Sequence, residues 1–213
     1  VQAREGHFPE AILAEARRGY DLMLLGASGY THPLGGAFIE EILKDPPVHV
    51  AIIKARDEKP RYHRILVPTA GDVSSQLAVE FAAMYAEDVG AEVTLLHVSL
   101  LPEKGRQWFR QQKTVLDNNT RRIMADTMLW ELRPSQARAE LRIMAKVVEG
   151  TQVDQEILRE TRQGEYDLLI LGASSRAGRL GVLLGERTEQ VVSQAPCTVI
   201  VVMPRSLRAS FPH

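Results

Sequence analysis

Tyr166–Met203 reads YDLLILGASSRAGRLGVLLGERTEQVVSQAPCTVIVVM, and the order of elements within it decides the fold. An apolar run, Leu168–Leu171, opens into a small-residue loop at Gly172. A helix-like segment follows and closes on Pro196, and a second apolar run occupies Cys197–Val202. Both runs are too short for helices and rich in Ile, Leu and Val, so they read as strands buried on both faces. Strand, glycine loop, helix and strand make a βαβ unit with an expected right-handed crossover. Loops that leave the carboxyl end of a parallel strand and enter a helix bring amide hydrogens and a helix dipole to bear on anionic ligands.

The same unit occurs earlier. Tyr20–Ala55, YDLMLLGASGYTHPLGGAFIEEILKDPPVHVAIIKA, matches it nearly element for element. Tyr20-Asp21-Leu22 aligns with Tyr166-Asp167-Leu168, Gly26-Ala27-Ser28 with Gly172-Ala173-Ser174, Gly36 with Gly185, and Pro47 with Pro196. An internal repeat of this kind outweighs any single motif.

Working outward, Glu5–Arg18 has helical spacing (Phe8, Ile12, Leu13, Ala16), with Pro9 in its first turn and Gly19 just past its end. Leu22–Leu25 and Val48–Ile53 are expected strands flanking a helix over Ala37–Lys44, and the charged, proline-containing Asp57–Arg61 is a linker. Beyond it, strands are expected at Ile65–Val67, Val93–Val98 and Leu141–Val148, with helices at Val73–Gly90 and Val153–Arg162. Ser74 or Ser75 is the expected cap of the first of these helices, and Leu77, Phe81, Met84 and Tyr85 its expected buried face. Pro102–Leu132 reads as helical with a break at Asp117-Asn118-Asn119, and carries Trp108 and Trp130. Five strands alternating with helices argue for a doubly wound parallel α/β sheet.

Composition narrows the function. The chain has 213 residues, 45% hydrophobic and 25% charged, with a formal net charge of −1, which offers no electrostatic case for nucleic acid or a polybasic membrane anchor. One cysteine, Cys197, lies in an expected buried strand, which excludes an internal disulfide and fits a reducing compartment. No apolar run approaches the roughly 18 to 20 residues that span a bilayer, and no signal peptide is visible. The sequence opens at Val1, and Val1–Gly6 corresponds to Val147–Gly150, the end of a strand in the second copy; a fragment of a longer polypeptide is the expectation. The histidines (His7, His32, His49, His63, His97, His213) are scattered without ligand spacing, so no metal is expected, and His97 is expected as a packed or capped side chain. Ser28 and Ser174 follow strand ends but lack the GxSxG surround of a nucleophile elbow, and no general base stands out, so no catalytic residue is assigned and no enzyme is expected.

Gly172, Ser175 and Gly185 followed by Glu186 resemble the phosphate loop of the universal stress protein family, which runs glycine, two residues, glycine, nine residues, glycine, Ser/Thr. His63–Pro68 (HRILVP) followed by Thr69-Ala70-Gly71 resembles that family's first strand and adenine-side loop. The resemblance covers a complete domain over 62–204 and the back half of another over 1–56, with a linker at 57–61 and a tail at 205–213. It implies strand order 3-2-1-4-5 in the complete domain. It also implies a site for ATP or another adenine nucleotide at Pro68, Thr69, Ala70, Val98, Gly172, Ser175, Arg176, Gly185, Glu186 and Arg187.

Three of those positions depart from the pattern. Ala70 stands where ATP-binding members carry an aspartate, Ser175 where the loop glycine approaches phosphate, and Glu186 where Ser/Thr opens the helix. A Cβ at Ser175 restricts close backbone approach, and a carboxylate at Glu186 repels phosphate and competes for the helix amides. Arg176, Arg179 and Arg187 offset this with positive charge around the loop. The alternative is a loop kept glycine-rich for tight strand-to-helix packing. The first copy keeps Gly29 but has Ala37 in place of Ser/Thr, and no nucleotide is expected there.

The balance favours a regulatory module with a degenerate site and no resident cofactor; an ATP-binding, nucleotide-dependent switch is the alternative. The resemblance also implies antiparallel pairing of last strands, here Val48–Ile53 with Cys197–Val202, within one chain or across a homodimer. Val67–Gly71 and Ala195–Val202 are similar to stress-protein tails of bacterial transporters such as cation/proton antiporters. That implies a transporter domain in the same polypeptide and a cytoplasmic position, at the inner face of the inner membrane.

Overall fold

A computed structural model describes residues 8–27, 36–56, 61–100, 141–173, 176–178, 181–183 and 185–206. In chain order these form α1 (Phe8–Ala16), β1 (Leu22–Gly26), α2 (Gly36–Leu43), β2 (His49–Lys54), β3 (Arg64–Pro68), α3 (Val73–Val89), β4 (Glu92–Leu100), β5 (Arg142–Gly150), α4 (Val153–Gln163), β6 (Leu168–Gly172), β7 (Arg176–Gly178), β8 (Gly181–Leu183), α5 (Glu186–Gln194) and β9 (Thr198–Met203). The helical reading of Pro102–Leu132, with Trp108 and Trp130, lies outside the described residues.

A single seven-stranded sheet in the order β1-β2-β9-β6-β3-β4-β5 forms the middle layer. Read from its β5 end, the complete unit has the 3-2-1-4-5 order that the resemblance implied. Its strands are parallel, as crossover helices require. β2 meets β9 antiparallel, with Val50 opposite Met203, Ile52 opposite Val201 and Lys54 opposite Val199, so the two βαβ units share one sheet.

Alternation along the strands sorts the core into two layers. Leu66, Leu96, Leu169, Val199, Val201, Val50 and Ile52 face α1, α2, α4 and α5, whereas Ile65, Val67, Val93, Leu95, Leu168 and Ile170 face α3. All six residues of β9 are buried, as an inner strand covered on both faces demands.

Two expectations for α3 are corrected. Its cap is Asp72: the backbone is extended there (φ −94°, ψ 172°) and the carboxylate accepts the Ser75 amide at 2.8 Å. Ser74 and Ser75 already lie inside the first turn, where the helical backbone leaves no Ncap role. The buried face is also different. Ser74, Ser75, Ala78, Val79, Ala82, Ala83 and Ala86 meet the sheet, Leu77, Phe81 and Tyr85 sit half-buried at the margin, and Met84 is 72% exposed. Close approach selects the small side chains: a Cβ on Gly172 would stand 2.2 Å from the Ser74 carbonyl oxygen. A third difference lies after Gly172, where the expected loop contains a short antiparallel ladder, Arg176 opposite Leu183 and Gly178 opposite Gly181.

His49, at the start of β2, is held below the usual histidine range, first by burial and then by the positive charge of Arg205. Its Nδ1 accepts the Arg205 amide at 3.2 Å, a bond that protonation at that nitrogen abolishes. The unfolded chain takes up this proton at a higher pH than the folded chain. Stability from His49 is therefore present above about pH 6.5 and declines as the pH falls from there toward the lower folded value. Denaturant midpoints of wild type and His49→Gln across that window should show a smaller acid loss in the variant.

Candidate functional site

The carboxyl ends of β3, β4 and β6 and the first turns of α4 and α5 surround a cavity of about 240 Å³. This is the crevice expected for an open parallel sheet, where the strand order reverses on either side of β3. Pro68, Thr69 and Ala70 form one wall, Leu96, His97 and Val98 a second, and Leu171 and Gly172 a third; Arg187, Thr188 and Val191 come from α5.

Local hydrogen bonds fix the first wall. The Thr69 amide donates to the Leu96 carbonyl at 2.8 Å, the Gly71 amide to Thr69 Oγ1 at 3.1 Å, and the Ala70 amide to Ser75 Oγ at 3.1 Å. Ser75 Oγ in turn donates to Asp72 Oδ1 at 2.8 Å. Gly71 turns the chain at φ +77°, in the left-handed region that glycine enters without strain. The amides of Ala70 and Gly71 are thus already committed to the side chains of Ser75, in the first turn of α3, and Thr69.

His97 Nδ1 lies 3.2 Å from the Thr69 carbonyl oxygen. A carbonyl only accepts, so Nδ1 carries the hydrogen, and in the neutral ring Nε2 remains an acceptor. Asp154 is 9% exposed and lines the cavity from the first turn of α4. It lies in the first turn of α4, where the helix dipole favours negative charge.

Three helix N-termini converge on this end of the sheet, and each carries acid of its own: Asp72 at α3, Asp154 and Glu156 at α4, Glu186 and Glu189 at α5. Among the described residues Arg187 is the only cation lining the cavity. Among the described residues the lining thus combines apolar side chains with the polar groups of Thr69, Asp72, Ser75, His97, Asp154, Arg187 and Thr188.

Of the residues singled out from sequence, Pro68, Thr69, Ala70, Val98, Gly172 and Arg187 line the cavity together. Gly185 precedes α5 at φ +92°, and Glu186 begins that helix, solvent-exposed and off the cavity lining. Arg176 is placed on β7 by its backbone, whereas Ser175, Arg179, Ser174, Ser28 and Gly29 lie outside the described residues. Sequence reasoning missed Asp154, His97 and Thr188 as lining residues. The available signal was position: Asp154 and Thr188 both fall in a helical first turn that follows a parallel strand, and such turns face the crevice.

The family model for the universal stress protein family matches residues 61–203. The chain belongs to that family. A universal stress protein of Mycolicibacterium smegmatis is 28% identical over 146 residues, covering 66% of this chain and 46% of the relative. A universal stress protein of Methanothermobacter thermautotrophicus is 29% identical over 148 residues, covering 66% of this chain and 95% of the relative. The crystal structure of a universal stress protein from Archaeoglobus fulgidus superposes with a TM-score of 0.60 at 20% identity, over 94% of this chain and 66% of that one. The likeness in fold therefore runs through both βαβ units, while the chain spans less than two thirds of the Mycolicibacterium and Archaeoglobus proteins. Among the described residues no group of histidine, cysteine and carboxylate side chains fits a metal ion, and no helix is long and apolar enough to cross a membrane.

Proposed function

We propose that this universal stress protein chain is a non-catalytic regulatory module with a degenerate nucleotide site, the back half of one universal-stress-type unit followed by a complete one. Its charge pattern at the cavity carries that reading. Ala70 leaves the first wall without a carboxylate, carboxylates occupy the helix starts that would otherwise take up phosphate, and among the described residues Arg187 is the only cation at the lining to offset them. The module acts as the soluble tail of a membrane transporter, on the cytoplasmic face of the inner membrane. The similarity of Val67–Gly71 and Ala195–Val202 to such tails supports this, and the transporter domain is its partner in the same polypeptide.

A second reading is an ATP-binding switch. It is favoured by Arg187 and Thr188 at the cavity, and by Asp154 and His97 Nε2 as acceptors for the amino and hydroxyl donors of a nucleoside. Calorimetric titration with ATP, with and without magnesium, and with adenosine separates the two. Wild type is expected to give no saturable heat with ATP. Glu186→Ser removes a like charge worth about 1 kcal/mol at close range, which is about fivefold in affinity. If adenosine binds, Asp154→Ala should weaken it by about tenfold, the worth of one bond to a charged acceptor. Micromolar ATP binding by wild type makes the switch the correct reading.

A further inference from the structure

The two units leave their last strands in the same way, and each exit is fastened to the other unit. Counted from the aligned pair Pro47 and Pro196, Arg56 is the counterpart of Arg205, His49 of Thr198 and Pro46 of Ala195. Because β2 and β9 run antiparallel, the exit of each meets the start of the other. The Arg56 amide donates to Thr198 Oγ1 and the Arg205 amide to His49 Nδ1, both at 3.2 Å. The backbone bond is therefore repeated at the two ends of the joint.

The side chains break this symmetry. At the His49 end the Pro46 carbonyl takes a neutral donor, the Ser206 amide, at 2.9 Å. At the Thr198 end the equivalent Ala195 carbonyl takes the Arg56 guanidinium at 2.6 Å, and Lys54 Nζ donates to the Val192 carbonyl at 3.2 Å. Met203, which cannot donate, stands where Lys54 does in the other copy. Both carbonyls lie at the C-terminal end of α5, where the helix leaves such groups without an intrahelical partner. α5 has no basic residue in its own last turn, so the positive charge its dipole favours there is supplied from β2 and the residues that follow it. Thr198 Oγ1 also bonds the Tyr62 hydroxyl at 3.1 Å, which ties the start of the complete unit to the same point.

α5 is only nine residues long, and its other end forms a wall of the cavity through Arg187, Thr188 and Val191. The Ala195 amide donates to the Val191 carbonyl at 2.9 Å, and the helical repeat sets residue 192 directly behind Thr188. A displacement at one end of so short a rod reaches the other.

We propose that Lys54 and Arg56 are positioning residues for the cavity. By holding the far end of α5 they set where Arg187 and Thr188 stand, and through them the first unit adjusts the ligand site of the second. This rests on the cavity being the module's ligand site. The test reads α5 with no ligand present, so its failure and a silent nucleotide titration are told apart.

NMR and hydrogen exchange on the intact chain provide that test. Arg56→Ala should quicken exchange at the amides of Val192 and Ala195 about tenfold, the worth of one bond from a charged donor, and should shift the amide signals of Arg187 and Thr188. Lys54→Met, which installs the side chain found at the equivalent place in β9, should give the same pattern. Arg56→Lys keeps a cationic donor and should return the signals toward wild type. Arg205→Ala removes the matching cation at the other end of the joint and should leave Thr188 unmoved. Shifts confined to residues 192–198, equal shifts at Thr188 in Arg205→Ala, or no recovery in Arg56→Lys overturn the proposal.

Discussion

Gly172→Ala should lower the unfolding free energy by about 3 kcal/mol, the upper part of the range for forcing atoms into a packed interior. The added methyl would lie 2.2 Å from the Ser74 carbonyl oxygen, 2.4 Å from the carbonyl carbon and 2.8 Å from the Ser75 amide nitrogen. These are backbone atoms in the first turn of α3, so no rotamer change relieves the contact; the helix has to move off the sheet. Moving it would also loosen the wall of the cavity, because Ser75 Oγ holds the Ala70 amide. Urea titration gives the test: a lower midpoint with an unchanged slope marks lost stability in an intact fold. A loss under about 1 kcal/mol would mean that α3 slides freely, contrary to the packing of Ala78 and Ala82.

Ile52→Ala should cost a similar amount, about 3 kcal/mol, by leaving a cavity where a fully buried side chain stood. Its informative feature is shape. Ile52 sits on β2 opposite Val201 of β9, at the antiparallel joint between the units. Because that joint lies inside one core, melting followed by near-UV and far-UV dichroism should show a single displaced transition. A biphasic curve, with Phe8–Lys54 melting ahead of the remainder, would show that the two units fold separately.

Much of this architecture was legible in the chain. Short Ile/Leu/Val runs followed by glycine loops and helices gave the βαβ units, and the doubled YDL…GAS pattern gave the repeat. The closing strands read as Val48–Ile53 and Cys197–Val202 were correctly placed as strands, since an inner strand has no polar alternation to confuse it. What failed has a common cause. Side-chain size points to the wrong face of α3, because the sheet takes mostly alanine and serine there, with Val79, and the close approach is set at Gly172, some ninety residues away. The cap at Asp72 was missed because two serines beside it looked equally suitable and only backbone dihedrals separate them. The cavity's first wall was legible because it is contiguous in sequence, Pro68-Thr69-Ala70. Asp154 was not, because nothing local distinguishes a helix-start acid that faces a crevice from one that faces water.

The antiparallel joint between β2 and β9 has a directional consequence. It turns the first unit end over end, so β1 and β2 finish at the rim where β3, β4 and β6 begin. The helices of the two units accordingly point opposite ways, and their dipoles oppose one another across the molecule. Gly172, which ends β6, and Gly26, which ends β1, therefore stand on opposite rims of one continuous sheet, so a pull on one rim and a pull on the other would load the same plate from opposite sides.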